Sequence, residues 1–280
     1  MREKGYLNKL IYSAASLPIA DTAARIDFFS RQFLDSLYLP NPQGEGEQGE
    51  IDQSPLYRFD GFDCVTYVNN VLALAFSHDA KSFEKNIVQL NYYQSILRFE
   101  NRFHFMSADW NPENQKNGFV RDATETIINE HNKSIAQFAE GEIDKPSWFL
   151  KRAENENAEN AARLRALAST VSKCRVRLPY LPLSFLFDEN KKPKKYFFNQ
   201  IPSASVIEIV RPNWNLKEKI GTNLHVSHMG FSIRENNKLI FRHASSEQKK
   251  VVSVLLAEYL FGCLKSATIR GINVQIICCA

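Results

Sequence analysis

The stretch FDGFDCVTYVNNVLALAF, residues 59–76, places a cysteine one position after an aspartate and directly before an apolar run. Apolar residues such as Val68 and Leu72 recur at helical spacing and predict a helix with one apolar face. Asp63 is a suitable N-cap for this helix, which puts Cys64 in its first turn. A thiol there lies near unpaired backbone N–H groups and the positive end of the helix dipole. Because such surroundings lower the pKa of a cysteine, Cys64 is a candidate nucleophile; the alternative is a small buried core residue.

A second motif, HVSHMGFSIRENNKLIFRHAS at residues 225–245, consists of two strand-like segments that flank a turn. Its Asn-Asn pair, residues 236–237, suits the two-residue loop of a β-hairpin. With that loop, Gly230 faces His243 on the neighbouring strand. His228 and His243 are then diagonal neighbours on one sheet face, about 7–8 Å apart at the backbone and within side-chain reach. The motif therefore predicts that one imidazole orients the other.

The neighbouring His225 precedes His228 by three positions and is predicted to point to the opposite face of the strand. H-V-S-H is therefore not a chelating pair, and we expect no metal and no cofactor. The alternative for each histidine alone is a hydrogen-bonded polar residue on a strand. A cysteine at a helix start together with two histidines on a later sheet is the layout of a papain-like cysteine hydrolase.

The order of elements along the chain predicts an α+β fold in a single domain over residues 1–280. Residues 1–76 are predicted to be helical and to carry the nucleophile, and residues 77–200 form a partly helical insertion. Residues 201–280 are rich in Val and Ile and predict an antiparallel sheet with the two histidines. Helices first and an antiparallel sheet last are typical of α+β proteins.

Further helices are predicted outside the nucleophile segment. The first covers residues 20–38 and has Ile26, Phe29, Phe33 and Leu37 on one face. The second covers residues 79–99, with Asp79 or Ser82 near its N-cap, and the third covers residues 155–174. Residues 251–264 are predicted to begin as a strand and to continue as a helix.

Composition excludes several function classes. The net charge of +4 arises from basic residues interleaved with acidic ones, so we expect no nucleic-acid partner. No apolar run of eighteen residues is present, so no transmembrane helix is expected. The apolar stretch near the N-terminus is broken by Ser13, Ser16 and Pro18, which favours a helix and loop over a secretory signal. We expect a periplasmic or secreted protein if a leader has been removed, and a cytoplasmic one otherwise.

The five cysteines are an odd number, so at least one is free or pairs between chains. No C-x-x-C pair occurs, which argues against a zinc ribbon or a thioredoxin-type site. Adjacent Cys278 and Cys279 are interpreted as ordinary packing residues.

Taken together, these motifs resemble a known family. GFDCVTYV followed much later by HMGFSI and IFRHAS resembles the NlpC-type cell-wall cysteine peptidases, whose order is Cys, His and a polar third residue. Over most of its length the chain resembles one branch in particular, the N-acetylmuramoyl-L-alanine amidase-like proteins. The similar stretches are FLDSLYLPNP, FDCVTYVNNVLALA, NRFHFMSADWNPENQKNGFVRDAT and the two histidine segments. The resemblance implies Cys64 as nucleophile, His228 as base and His243 as the orienting residue.

The resemblance also implies a bacterial peptidoglycan fragment as substrate, cut at the amide between N-acetylmuramic acid and L-Ala. A 1,6-anhydro form of the sugar is expected from the resemblance alone. The common endopeptidases carry Ser-Gly where this chain has Val65 and Thr66, and that serine helps to hold a free peptide amine. Its absence fits a substrate whose L-Ala nitrogen is acylated. Asn69 stands where the amidase branch tends to have an acid, which bears on local packing.

Several residues are candidates for the oxyanion and for substrate binding. The backbone N–H of Cys64 is one oxyanion donor, and the hydroxyl of Tyr38 or Tyr57 is another, with Tyr38 favoured by the resemblance. Asp63, beside the nucleophile, is included among the substrate-side residues. In the insertion, which we expect to shape the substrate cleft, carbohydrate contacts are assigned to Asp109, Trp110 and Asn114. The alternative for Trp110 is a core anchor.

Other functions use the same scaffold. A cell-wall endopeptidase that cuts within the stem peptide, a γ-D-glutamyl peptidase, an acyltransferase and a deamidase all share the thioester intermediate. A non-catalytic binding module is a further class, and the presence of all three polar residues argues against it. We expect a monomeric cysteine hydrolase that acts on muropeptides.

Overall fold

The computed structural model describes residues 2–278 of the 280-residue chain, with the side chains of residues 4–278. The α-helices are α1 (Arg2–Ser13), α2 (Thr22–Gln32), α3 (Cys64–Ala75), α4 (Ala80–Gln89), α5 (Asn111–Lys116), α6 (Lys145–Ala153), α7 (Ala158–Ala168), α8 (Leu183–Leu186), α9 (Lys195–Gln200), α10 (Lys217–Ile220) and α11 (Leu256–Cys263). The strands are β1 (Leu37–Tyr38), β2 (Gly61–Phe62), β3 (Val120–Asp122), β4 (Gln137–Ile143), β5 (Cys174–Pro182), β6 (Ser205–Asn215), β7 (Asn223–Glu235), β8 (Lys238–Ser245), β9 (Lys250–Leu255) and β10 (Gly271–Ile277). A π-helical turn, Met106–Trp110, leads into α5.

The described strands form one sheet in the order β2-β1-β9-β8-β7-β6-β10-β5-β4, with β3 paired to β10. All pairs are antiparallel except β1 with β2, which is parallel. The fold is therefore α+β, as predicted. The boundary predicted at residue 201 does not limit the sheet, because β1 and β2 come from the N-terminal part and β3, β4 and β5 come from the insertion.

The sheet carries helices on both faces. One apolar core joins α1, α2, α3 and α4 to Met229 and Phe231 of β7. A second core on the other side of the sheet joins α8, α9 and α11 to Ile207 and Ile209 of β6 and to Phe241 of β8. Because α3 packs against β7 and α11 packs against β8, both helices reach the hairpin that carries the two histidines.

The predicted helices are present but shorter. In α2, Asp21 is the N-cap and Ile26, Phe29 and Phe33 are buried, whereas Leu37 is 61% exposed and belongs to β1. The helix ends early because the chain turns at Asp35, which adopts a positive φ of 64°.

Two other helix predictions are also corrected in length. Asp79 caps α4 as predicted, through a capping box with Ser82, but the helix ends at Gln89. The helix predicted to end near Cys174 ends at Ala168, and Cys174 begins β5. The alternation of exposed and buried residues from Arg175 to Leu178 is the strand signal that a helical interpretation overlooks. The strand-to-helix change over residues 251–264 is confirmed by β9 and α11.

Helix α3, which begins at Cys64, is fixed at its C-terminal end by a buried arginine. Arg25 donates from Nε to the carbonyl of Ala75 at 2.7 Å and from Nη2 to the carbonyls of Leu74 at 3.1 Å and Ser77 at 2.6 Å. A cation at a helix C-terminus is stabilising because it opposes the negative end of the helix dipole.

Within the described residues, no helix combines the length and the apolar composition that crossing a membrane requires. Cys64, Cys174, Cys263 and Cys278 are free thiols. Cys279 lies outside the described residues.

Candidate active site

Cys64 is the first residue of α3, and its position is set by the predicted N-cap. The backbone N–H of Thr66 donates to Oδ1 of Asp63 at 2.8 Å, and the N–H of Asp63 donates to Oγ1 of Thr66 at 3.0 Å. This reciprocal capping box satisfies two of the free N–H groups at the helix start. Asp63 is therefore confirmed as the N-cap, and its carboxylate is committed to the helix.

The pKa of Cys64 differs from the predicted lowering. Burial, and secondarily the Asp63 carboxylate, raises the pKa of the Cys64 thiol to about 12. Hydrogen bonds from the backbone N–H groups of Met229 and Val65 oppose this shift without overcoming it. Because desolvation outweighs the helix terminus, the thiol is protonated at neutral pH and requires a base to become a nucleophile.

The hairpin has the predicted loop and register. Asn236 and Asn237 occupy the turn with φ of 48° and 60°, as a two-residue loop of type I′ requires. Phe231 pairs with Arg242. In the same register the next position places Gly230 opposite His243, as predicted. A Cβ on Gly230 would lie 2.6 Å from the Cβ of His243, so only glycine leaves room for that side chain.

His228 and His243 meet as predicted, with Nε2 of His228 2.7 Å from Nδ1 of His243. Burial, and secondarily His243, lowers the pKa of His228 to about 3. Burial lowers the pKa of His243 to about 4. Both imidazoles are therefore neutral at physiological pH, so in this hydrogen bond one ring donates and the other accepts.

Two aromatic residues that sequence reasoning missed hold the imidazoles in place. Phe241 stacks on His243 with ring centroids 4.5 Å apart and planes 18° apart. Tyr259 of α11 lies against His228 at 6.1 Å and 28°, and against His243 at 5.1 Å. Phe241 lies two positions before His243, so the two-residue period of a strand puts both on one face, and this period could have indicated Phe241. No local sequence pattern indicates that Tyr259 reaches the site.

The backbone of β7 links the cysteine to the histidine pair. Met229, whose N–H group bonds Cys64, directly follows His228. A bulge precedes this point, because Ile209 of β6 pairs with His228 whereas Val210 pairs with Val226. Bulges of this kind re-aim side chains beside active sites.

His225 is not part of this group. It is buried against β4, where a Cβ on Gly141 would lie 2.7 Å from its Nε2. Within residues 4–278, no set of three or more His, Cys, Asp or Glu side chains is arranged to hold a metal ion.

The structure separates the two candidate tyrosines. Tyr38 of β1 is half-buried, and its pKa is raised by burial and then by the neighbouring Cys64 and Asp63. Tyr57 donates instead to Oε1 of Glu84 on α4 at 3.3 Å, and its ring packs on Phe83 at 5.0 Å. Of the two candidates, Tyr38 is therefore the one that lies near Cys64, and its raised pKa keeps its hydroxyl protonated as a donor.

The prediction that Trp110 contacts a sugar is wrong. Trp110 is fully buried, and its Nε1–H donates to Oδ1 of Asn69 at 2.8 Å. Nδ2 of Asn69 donates in turn to Oδ1 of Asn91 at 2.6 Å. The indole is a core anchor on α3, and Asn69 is the packing residue that receives it.

Asp109 and Asn114 are also structural, against prediction. Asp109 is buried and accepts hydrogen bonds from the hydroxyl of Tyr93 at 2.8 Å and from the N–H of Phe105 at 3.0 Å, and it forms an ion pair with Lys145. The side-chain amide of the buried Asn114 donates to the carbonyl of Leu90 at 3.2 Å. The side chains of Asp109 and Asn114 are therefore directed into the protein and do not line its surface.

Comparison with known proteins places this chain in a family. Residues 28–264 match the family model described as AmiA-like, N-acetylmuramoyl-L-alanine amidase-like. The chain belongs to this family. No curated protein matches.

Solved structures of similar fold are found over almost the full length. A crystal structure of a protein from Legionella pneumophila strain Philadelphia 1 is 39% identical, with a TM-score of 0.93 over 99% of this chain and 95% of that one. A crystal structure of an N-acetylmuramoyl-L-alanine amidase from Bacteroides uniformis is 22% identical, with a TM-score of 0.63 over 91% of this chain and 98% of that one. The second likeness concerns the fold.

Proposed function

We propose that the protein is a papain-like cysteine hydrolase that cleaves the amide between N-acetylmuramic acid and L-Ala in peptidoglycan fragments. The observation that carries this proposal is the hydrogen-bonded pair of His228 and His243 on the hairpin whose residue Met229, directly after His228, contacts Cys64 at the start of α3. Family membership, with a model named for this amidase, supports the bond that is cut.

The first step is proton transfer from Cys64 to His228. Because Nε2 of His228 is engaged with His243, Nδ1 is the nitrogen left for the thiol. The raised thiol pKa and the lowered imidazole pKa favour a neutral resting pair over a thiolate–imidazolium pair. The proton therefore moves to His228 as the sulfur attacks the lactyl carbonyl carbon, a general-base contribution of about 100- to 10,000-fold.

The tetrahedral intermediate needs donors for its oxyanion. The backbone N–H of Cys64 and the hydroxyl of Tyr38 are the groups beside the sulfur that fill this role. When the intermediate collapses, the C–N bond breaks and its electron pair stays on the L-Ala nitrogen. That nitrogen takes the proton from the His228 imidazolium, so the stem peptide leaves with a free amine and the muramyl acyl group stays on Cys64 as a thioester.

Hydrolysis of the thioester reverses these roles. His228 takes a proton from water as the water oxygen attacks the thioester carbon. The C–S bond then breaks, and the proton returns from His228 to the sulfur. His243 accepts the Nε2–H of His228 throughout, which keeps Nδ1 aimed at the sulfur and stabilises the transient imidazolium.

The substrate preference rests on the family and on the residues after the nucleophile. Thr66 is committed to the capping box and Val65 is apolar, so neither holds a free amine as the serine of the endopeptidases does. An acylated L-Ala nitrogen fits this arrangement. The preference for a 1,6-anhydro sugar is proposed from the family resemblance.

Purified substrates test the proposal. The protein is incubated with anhydro-muramyl tripeptide and with the sugar-free tripeptide, and the products are identified by mass. We expect intact tripeptide and free anhydro-N-acetylmuramic acid from the first substrate and no cleavage of the second. Cys64→Ala should be inactive, and Cys174→Ala, which changes a free thiol away from the site, should be fully active. Cleavage inside the sugar-free peptide would identify an endopeptidase instead.

A further inference from the structure

Arg211 of β6 is fixed next to the histidine that we assign as the base. Its Nε donates to Oγ of Ser227 at 3.1 Å, and its Nη1 donates to Oγ1 of Thr268 at 2.7 Å. The guanidinium carbon lies 4.3 Å from the ring centroid of Trp214. Ser227 is the bulge residue directly before His228, so the position of the guanidinium is tied to the position of the base.

This cation is held without being neutralised. Among the side chains of residues 4–278, no carboxylate forms an ion pair with Arg211, and its Nη2 has no hydrogen-bond partner. Two hydroxyls and an aromatic face therefore fix a half-buried guanidinium while leaving its charge uncompensated. Such a group is pre-organised for a carboxylate, which guanidinium binds through parallel N–H···O bonds.

Strand pairing places Arg211 on the His228 side of the site, because Ile209, two residues before Arg211 on β6, pairs with His228. The charge of Arg211 acts on the hydroxyl of Tyr259, which stacks on His228 and also interacts with Cys64. Glu247, exposed in the turn between β8 and β9, acts on Tyr259 with the opposite sign but does not pair with Arg211. The cation is therefore within electrostatic range of the residues that surround the nucleophile.

The proposed reaction defines what occupies this side. His228 gives its proton to the leaving amine, so the leaving group lies against His228, and that leaving group is the stem peptide. Its second residue, D-glutamate, is linked onward through its γ-carboxyl and keeps a free α-carboxylate. This carboxylate belongs to the residue that follows L-Ala. Two extended residues span about 7 Å, so the carboxylate lies within about that distance of the scissile nitrogen.

We propose that Arg211 binds the free α-carboxylate of the stem peptide's second residue and selects acidic over α-amidated stems. This inference rests on the proposed function, because the reaction assigns the peptide to the His228 side. Arg211 is then a specificity-determining residue that sequence motifs did not single out.

A matched pair of substrates tests this assignment. The first is anhydro-muramyl-L-Ala-γ-D-Glu-L-Lys, and the second differs only in an α-carboxamide on the D-glutamate. We expect the protein to prefer the acid in kcat/KM by about 10- to 100-fold, the range for hydrogen bonds to a charged group. Arg211→Gln should lower kcat/KM for the acid to the value for the amide, and Arg211→Lys should keep part of the preference.

The control is Arg177→Gln on β5. Arg177 also stacks on an aromatic ring, that of Phe138, but it forms an exposed ion pair with Glu140 at 3.1 Å. This variant should keep the full preference. Equal turnover of both substrates by the unmodified protein would overturn the inference, and so would an equal loss on both substrates in a folded Arg211→Gln variant.

A binding measurement separates this inference from the proposed function. Calorimetric titration of Cys64→Ala with free L-Ala-γ-D-Glu-L-Lys and its α-amide should show tighter binding of the acid, and Arg211→Gln in the same background should remove that difference. If no muramyl amide is cut but this difference is found, the proposed function fails and the carboxylate site stands. If the acid binds no better than the amide, the carboxylate site is refuted whatever bond is cut.

Discussion

Replacing Trp110 by Phe tests whether this indole belongs to the core or to the substrate cleft. The substitution removes the Nε1–H that donates to Asn69 at 2.8 Å and leaves a buried amide oxygen unpaired. An unpaired buried acceptor costs about 1–3 kcal/mol of unfolding free energy. The smaller ring adds a cavity cost of about 1 kcal/mol. We therefore expect Trp110→Phe to destabilise the protein by about 2–4 kcal/mol.

Urea unfolding followed by circular dichroism measures this loss, and kcat/KM per folded molecule on the muramyl tripeptide should stay within about twofold of normal. Trp148→Phe is the matched control, because Trp148 is only half-buried and packs on Phe99 and His104. It should lose less stability. Unchanged stability in Trp110→Phe together with a tenfold rise in KM would show that Trp110 contacts substrate and that its assignment to the core is wrong.

Other variants and pH test the catalytic group. His228→Ala should lower kcat by about 100- to 10,000-fold, His243→Ala should lower it less, and the double variant should match His228→Ala; a larger loss in His243→Ala would reverse the assigned roles. Gly230→Ala places a methyl group 2.6 Å from the Cβ of His243 and 2.7 Å from a backbone oxygen, so kcat should fall at least about tenfold. The control Gly262→Ala in α11, where the added methyl group meets nothing within 4 Å, should be active. Normal kcat in Gly230→Ala would contradict the packing of His243. Because the pKa of Cys64 is raised to about 12, its alkylation by iodoacetamide should still accelerate above pH 9; a plateau below pH 7 would show a thiolate. Because the pKa of His228 is lowered to about 3, its neutral base form persists on acidification and kcat/KM should stay constant from pH 7 to pH 5; a fall centred near pH 6.5 would show a normal imidazole.

The parts of the site that were predictable from sequence are those set by local patterns. Asp63 and the apolar period after it predict the start of α3, because capping and amphipathic spacing act within one or two turns. The Asn-Asn loop at residues 236–237 fixes the hairpin register, because loop length determines which residues face each other. From that register the meeting of His228 and His243 follows directly.

The parts that could not be predicted depend on contacts between distant segments. Trp110 and Asn69 are 41 positions apart, and no local pattern distinguishes an indole that is buried on a helix from one in an exposed loop. The pKa of Cys64 depends on its burial in the folded protein, which outweighs the helix terminus that the local sequence shows. Tyr259 reaches the histidine pair from α11, and Arg211, which we propose as a substrate contact, comes from β6, so only the folded protein brings these residues together.

Intact-protein mass spectrometry of the acyl-enzyme tests the central claim most directly. The protein is mixed with anhydro-muramyl tripeptide, quenched in acid within milliseconds, and digested to locate the adduct. We expect a thioester on Cys64 whose added mass equals the anhydro-N-acetylmuramyl group alone, and no adduct in Cys64→Ala. An adduct that retains L-Ala would mean that a bond within the peptide is cut. Turnover without any adduct, together with normal activity of the Cys64→Ala variant, would contradict the cysteine mechanism.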